Sequence, residues 1–269
     1  HHNSIRKLTT TFNFDNNKCN NSVIRTLSHV YFDMELTKQL DVSVDCVVFG
    51  YDGEVLKVLL IEQKTQDGGA LREKHIQMAL PGDLVQSEET LNNCASRVML
   101  ELTSIANIFL KQFHSFGDPN RVRGDKDQKW LKTYREFPNK RVITIAYYAL
   151  VSLNDYTPSP SSFAGKTQWV KLEEVPELAF DHNHILDFAL QTLKEQLEPH
   201  HIGFKLLPKK FTLSQLQHLH ELVLDKKLDK RNFRKNVKRM DHVVPLDEKQ
   251  KGVLHKPAQL FSFNPEAVN

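Results

Sequence analysis

Seven residues suited to contact with nucleic acid, Lys230, Arg231, Asn232, Arg234, Lys235, Lys238 and Arg239, fall within the short segment 229–240 (DKRNFRKNVKRM). Lysine and arginine neutralise phosphates, arginine also forks onto guanine, and an asparagine carboxamide matches the edge of adenine. At 3.6 residues per turn this segment is a helix with Phe233, Val237 and Met240 on one side and the cations over the remainder. In a recognition helix, Lys230, Arg231 and Asn232 stand nearest the bases, while Arg234, Lys235, Lys238 and Arg239 meet phosphates. Lys249, Lys251, His255 and Lys256 follow in a loop, 247–257, from which they can reach the backbone or minor groove. A solvated amphipathic helix has the same pattern, so the surrounding chain must decide.

Charge along the chain favours the nucleic-acid reading. From His200 onward 14 Lys and Arg face 7 Asp and Glu, a surplus of +7, which leaves −4 for residues 1–199. A basic C-terminal module on a mildly acidic body points to a polyanionic partner for the tail and argues against a general coat protein for nucleic acid. The 269 residues, 40% hydrophobic and 26% charged, suit a folded chain of two domains. Cys19, Cys46 and Cys94 are far apart and form no CxxC pair, which speaks against a disulfide framework or a zinc site. The polar N-terminal stretch lacks the apolar run of a signal peptide, and no segment reaches the roughly 20 apolar residues of a membrane span. A cytoplasmic setting, with no membrane partner, is the expectation.

The elements that position the basic helix can be read from local patterns. Residues 3–21, rich in Asn and Thr, suggest a mobile arm, and 22–34 a short helix. The β-rich runs 42–51 and 55–62 flank Asp52-Gly53 and predict a hairpin. Loops are expected at 66–69 and 157–162, and a turn at Leu80-Pro81-Gly82. Leu91, Ala95, Val98, Leu102 and Ile105 recur at helical spacing, 141–151 and 168–172 read as strands, and 183–198 reads as a helix. This irregular alternation favours a mixed sheet with helices on its faces. Thr212 and Gln215 form a capping-box signature opening a helix with Leu213, Leu216, Leu219 and Val223 inward. After it come the link 225–228, the basic helix, and strand-like runs at 242–246 and 259–263. Helix, turn, basic helix and two-stranded ribbon is the order of a winged helix-turn-helix.

Within 80–105, LPGDLVQSEETLNNCASRVMLELTSI resembles the Nudix box. Asp83 falls at its first Gly, Glu89 at its Glu, Arg97 at its Arg and Glu101 at one of its paired Glu positions. Val98 and Leu102 stand where the family has two further glutamates, and Ser104 replaces the second Gly. The resemblance continues through Phe116-Gly117-Asp118-Pro119-Asn120-Arg121, the strand from Arg141 to Tyr147, Trp169, and Glu173 to His182. It then takes in the C-terminal segments Gly203 to Pro208, Phe211 to Leu213 and Leu228 to Arg234. Over roughly 41–265 the chain is similar to Nudix proteins joined to a winged helix, a group that includes the Nudix-related regulators of NAD metabolism and the arabinose-sensing regulators.

That resemblance implies an α+β chain: a Nudix-like mixed-sheet α/β/α sandwich followed by a winged helix-turn-helix domain. The expected divisions are an arm at 1–40, an effector-binding domain at 41–198 and a DNA-binding domain at 199–269. It further implies a homodimer on a double-stranded DNA operator, controlled by a small effector, either a sugar or an ADP-ribose-like compound. Nudix hydrolysis needs several carboxylates on one helical face to hold Mg²⁺. With aliphatic residues at 98 and 102, Glu101 alone remains of that set, so neither a catalytic residue nor a metal or cofactor site is expected. Asp83, Glu89 and Glu101 are the candidate effector contacts, Glu89 also pairing with Arg97, and a carbohydrate is slightly favoured as effector. The competing readings are a Nudix hydrolase of ADP-ribose or a related nucleoside diphosphate derivative, and a module whose basic end binds RNA or protein. The stretch 122–140, with Trp130, Tyr134 and a run of basic residues, is longer than the resemblance leads one to expect and reads as a surface loop, a lid or a subunit contact.

Overall fold

The computed structural model describes residues 40–63, 77–153, 166–199, 201–254 and 256–267. The expected arm at 3–21, the helix at 22–34, the loops at 66–69 and 157–162, and His255 lie outside the described residues.

Strand β1 (Leu40–Tyr51) is the axis of a seven-stranded mixed sheet. Strand β2 (Leu56–Gln63) returns antiparallel to it across the expected hairpin. Asp52 Oδ1 accepts hydrogen bonds from the amides of Glu54 (3.0 Å) and Val55 (2.9 Å), and Gly53 takes φ 102°, a conformation that glycine adopts without strain. Strands β3 (Gln77–Ala79) and β4 (Gly82–Leu84) pair with β2 and β1, and β5 (Lys111–Phe116) lies at the far edge. Strand β6 (Arg141–Ser152) runs parallel to β1 along its whole length, from Leu40↔Arg141 to Tyr51↔Ser152. Strand β7 (Lys166–Lys171) adds to β2.

Side chains of a strand alternate between faces, and β1 has a helix on each. Val44, Cys46 and Val48 meet Cys94, Ala95, Val98 and Met99 of helix α1 (Leu91–Thr103). Val47, Phe49 and Tyr51 belong to the opposite core, with Ile185, Ala189 and Leu193 of helix α3 (His182–Leu197). Burial on both faces explains why 42–51 is almost continuously apolar. This is the mixed-sheet sandwich expected from the sequence. Helix α1 closes two residues before the end of the expected stripe, with Ser104 left-handed (φ 57°), so Ile105 is buried from beyond the helix.

The stretch 122–140 is not merely a loop: it holds helix α2 (Asp125–Tyr134). Asp125 and Asp127 in its first turn and Lys132 in its last match the helix dipole. Leu131 packs with Val122 and Val142 and against Leu84 and Phe180. Of Trp130 and Tyr134 only the helical backbone is described.

At the C-terminal end, helix α4 (Leu213–Leu224) starts with the full capping box: Thr212 Oγ1 accepts from Gln215 N (3.2 Å) and Gln215 Oε1 accepts from Thr212 N (2.9 Å). Helix α5 (Lys230–Val237) follows, capped by Asp229, and is shorter than 229–240 because Lys238 already serves as its C-cap. Strands β8 (Val243–Lys249) and β9 (Gln259–Phe263) form the ribbon, tied to the start of α4 by a bridge between Phe211 and Phe261. Leu216, Leu219, Val223, Val237 and Val243 belong to the same apolar cluster as Phe49 and Leu193, so one core runs from the sheet through α3 into the C-terminal elements. Thr212→Ala removes a partner of the capping box and is expected to lower stability by about 1 kcal/mol in urea denaturation; an unchanged midpoint would show the cap to be redundant.

Candidate functional site

The Nudix-like carboxylates converge on one arginine. Arg97, on the second turn of α1, donates through Nε to Glu89 Oε1 (2.8 Å), through Nη1 to Asp83 Oδ2 (2.8 Å) and Glu101 Oε2 (3.2 Å), and through Nη2 to the Leu84 carbonyl (3.0 Å). Asp83 comes from β4, Glu89 from the turn before α1 and Glu101 from one helical turn beyond Arg97, so four positions of the motif form one cluster. Hydrogen bonds from Arg97 outweigh partial burial and hold the Glu89 carboxyl at about 2, against an ordinary 4.5. Val98 is fully buried against the sheet and Leu102 packs beside it, so the two positions that lack glutamate are filled by core side chains. Among the described residues no group of three or more His, Cys, Asp or Glu is arranged to hold a metal ion.

A second polar cluster escaped the sequence reading. Asp45 sits on β1, nearly buried, on the face that meets α3. Thr144 Oγ1 donates to Asp45 Oδ2 (2.8 Å) and is itself in close contact with Ser43 Oγ. The buried guanidinium of Arg121 forks onto Asp181 (Nη2 to Oδ1, 2.7 Å; Nε to Oδ2, 2.9 Å) and reaches Asp45 Oδ2 at 3.5 Å. His182 Nδ1 accepts from the Leu80 amide (3.0 Å), which leaves Nε2 to carry the proton, 3.6 Å from Asp45 Oδ1. Complete burial pushes the His182 pKa down and keeps the ring neutral. A Cβ at Gly82 would fall 1.9 Å from Asp45 Oδ1, so only glycine fits there. The segments ending at Arg121 and His182, both distinctive in sequence, are thus joined by an ion pair between Arg121 and Asp181, 60 positions apart.

Helix α2 leans on this cluster. Buried Asp127 accepts from the Phe180 amide (2.9 Å) and from Gln77 Nε2 (3.3 Å). Arg135, just after the helix, is depressed by burial, opposed by the charges of Asp41, Asp45 and Asp83, and its Nη1 has no partner among the described residues.

On α5, Val237 is buried, and Phe233 and Met240 pack against the same core, as the stripe requires. Lys230, Arg231, Arg234, Lys235, Lys238 and Arg239 line one open groove. Asn232 is not among them: it faces a cavity on the other flank of the helix, with Phe233 and Asn236. Lys249 ends β8, and Lys251 and Lys256 are exposed in the β8–β9 connection, where Gly252 turns the chain at φ 74°.

Two substitutions test these clusters. Arg121→Met strips buried Asp45 and partly buried Asp181 of their counter-charge and is expected to cost about 3–5 kcal/mol in chemical denaturation, whereas a loss below 1 kcal/mol would mean that solvent replaces the guanidinium. For Glu89 the lowered carboxyl pKa stabilises the fold fully above pH 4.5 and progressively less as pH falls towards 2. Wild type should therefore lose stability across that window in urea melts taken at successive pH values. Arg97→Met should be less stable at neutral pH and flatter in its acid dependence; parallel curves would dissociate Glu89 from Arg97.

Comparison with known proteins agrees with this architecture. Residues 203–263 match the NrtR DNA-binding winged helix domain. The ADPR responsive transcriptional repressor NtrR of Acinetobacter baylyi is 29% identical over 225 residues, covering 82% of this chain and 81% of that protein. Shewanella oneidensis NrtR, in its crystal structure, superposes with a TM-score of 0.60 at 26% identity, over 84% of this chain and 95% of that one. A MutT/nudix family protein from Enterococcus faecalis shares the fold, with a TM-score of 0.62 at 21% identity over 90% and 93% of the two chains. In its sandwich, its Arg97-centred motif and its basic C-terminal module, the chain is similar to the Nudix-related transcriptional regulators.

Proposed function

We propose that this protein is a ligand-responsive transcriptional regulator, with residues 41–198 binding a small metabolite and 199–269 gripping a double-stranded operator. The observation that carries the reading is the groove on α5, where six cations line one open surface while Phe233, Val237 and Met240 fasten the opposite side to the core. A ribbon with Lys249, Lys251 and Lys256 at its connection supplies the wing. Within this reading Lys230 and Arg231 face the bases and Arg234, Lys235, Lys238 and Arg239 the phosphates. Asn232, turned to the other flank, is a weaker candidate for base contact.

The effector is an ADP-ribose-like compound in preference to the carbohydrate favoured from sequence, because the Acinetobacter baylyi relative is named for its response to ADPR. Asp83 and Glu101, both half-exposed at the edge of the Arg97 cluster, are the contacts we assign to it, and Glu89 serves the scaffold. Val98 and Leu102, built into the core, support a sandwich that binds without hydrolysing. The regulator works as a homodimer in the cytoplasm, since only a ligand that favours one arrangement of two winged helices shifts operator occupancy.

Two experiments test the reading. Operator binding in a salt series should give a log-log slope near −5, the value for about six neutralised phosphates, and the double substitution Arg231→Glu, Arg234→Glu should abolish binding; a flat salt response would refute the assignment. ADP-ribose should raise the melting temperature without being consumed in the presence of Mg²⁺. Turnover that disappears in Glu101→Gln would instead establish a hydrolase.

A further inference from the structure

A cavity of about 420 Å³ lies beneath the basic helix, a size in the range of small-molecule sites. Its walls are apolar: Leu197 from the end of α3, Phe204 from the turn that follows, Leu216 from α4, and Phe233 and Val237 from the inner face of α5. His220 of α4 stands edge-on to Phe233, with ring centroids 5.6 Å apart at 68°. Neither of its ring nitrogens has a hydrogen-bond partner among the described residues. Burial pushes the His220 pKa down to about 4, so the imidazole is neutral at physiological pH and offers one donor and one acceptor.

The charges on the lining have one sign. Among the described residues, Glu198 and Asp229 border the cavity and no lysine or arginine does. A phosphate-bearing metabolite, the class assigned above to the sandwich, meets two carboxylates here and no counter-charge. A cation meets both, and two phenylalanine rings besides.

We propose that this cavity is a second ligand site, for a flat aromatic amine whose ring lies among Phe204, Leu216, Phe233 and Val237 and whose ammonium group faces Glu198 and Asp229. The site is distinct in place and in chemistry from that of the phosphate-bearing effector. Its occupant touches Phe233 and Val237, the side chains that seat the basic helix, and so acts directly on the element that carries the cationic groove.

The test is calorimetric titration of the full chain with tryptamine, indole and indole-3-acetate, which share a ring and differ in charge. Tryptamine should bind saturably at one per chain and about fivefold or more tighter than indole-3-acetate, a typical effect of a partly exposed charge pair. Glu198→Gln should shrink that preference and leave indole unchanged. Asn236→Trp, at an exposed position on the cavity lining, should block all three. Glu198 is exposed at a helix end, so its substitution decides the matter even where Asn236→Trp disturbs α5. The proposal is overturned by the absence of saturable tryptamine binding, by affinities indifferent to ligand charge and to Glu198→Gln, or by competition with saturating ADP-ribose.

Discussion

A carboxylate buried in the middle of a sheet must be compensated, and much of this protein follows from compensating Asp45. The charge is too costly to leave without partners in an apolar interior. Its neighbours are therefore specified from several directions: Thr144 across the parallel pair, Arg121 from the segment after β5, and His182 from the first residue of α3. Gly82 is the space left for it. Because Arg121 also forks onto Asp181, the start of α3 is pinned to the sheet, and the direction of α3 determines where Leu193 and Leu197 meet the C-terminal elements. An electrostatic requirement at one end of the helix thus positions the basic module at the other.

The Arg97 cluster shows the same economy on the opposite face. An arginine ringed by Asp83, Glu89 and Glu101 makes a compact brace between β4, the following turn and α1. In a hydrolytic Nudix protein the paired glutamates of this helix would serve a divalent ion. Here the two altered positions have been drawn into the packing, Val98 completely and Leu102 in part. The brace outlasts the carboxylate set because Val98 and Leu102 are turned into the core while Glu101, the remaining member of that set, is held by Arg97.

How legible each part was in the sequence depended on whether its signal was local. The hairpin at Asp52-Gly53, the capping box at Thr212 and the stripe of Phe233 and Val237 each lie within a few residues, and each was read with nearly correct boundaries. Strand β5 was missed because its exposed edge, from Lys111 to Ser115, gives no apolar alternation. Helix α2 was taken for a loop because, among its described side chains, Leu131 is the one apolar group that is deeply buried. The Asp45 cluster was not legible as a cluster: Arg121 and His182 lie in segments distinctive in sequence, but they are 76 and 137 positions from Asp45 and meet it only in the folded chain. Of the Arg97 cluster the pair with Glu89 was legible through the motif, but the convergence of Asp83 and Glu101 on the same guanidinium required coordinates. The cations of α5 could be counted, yet their rotation could not, and Asn232 proved to lie on the other flank.

The unbroken apolar core from Phe49 through Leu193 to Val237 bears on how such regulators can diversify. A DNA-reading unit joined by a linker could be exchanged between sensors like a cassette. Here the reader borrows its foundation from the sensor's last helix, so a graft would have to transplant the inward surface of α3 along with it. On the function proposed above, divergence in operator preference is easiest on the outer cations of α5, which can vary without disturbing what lies underneath.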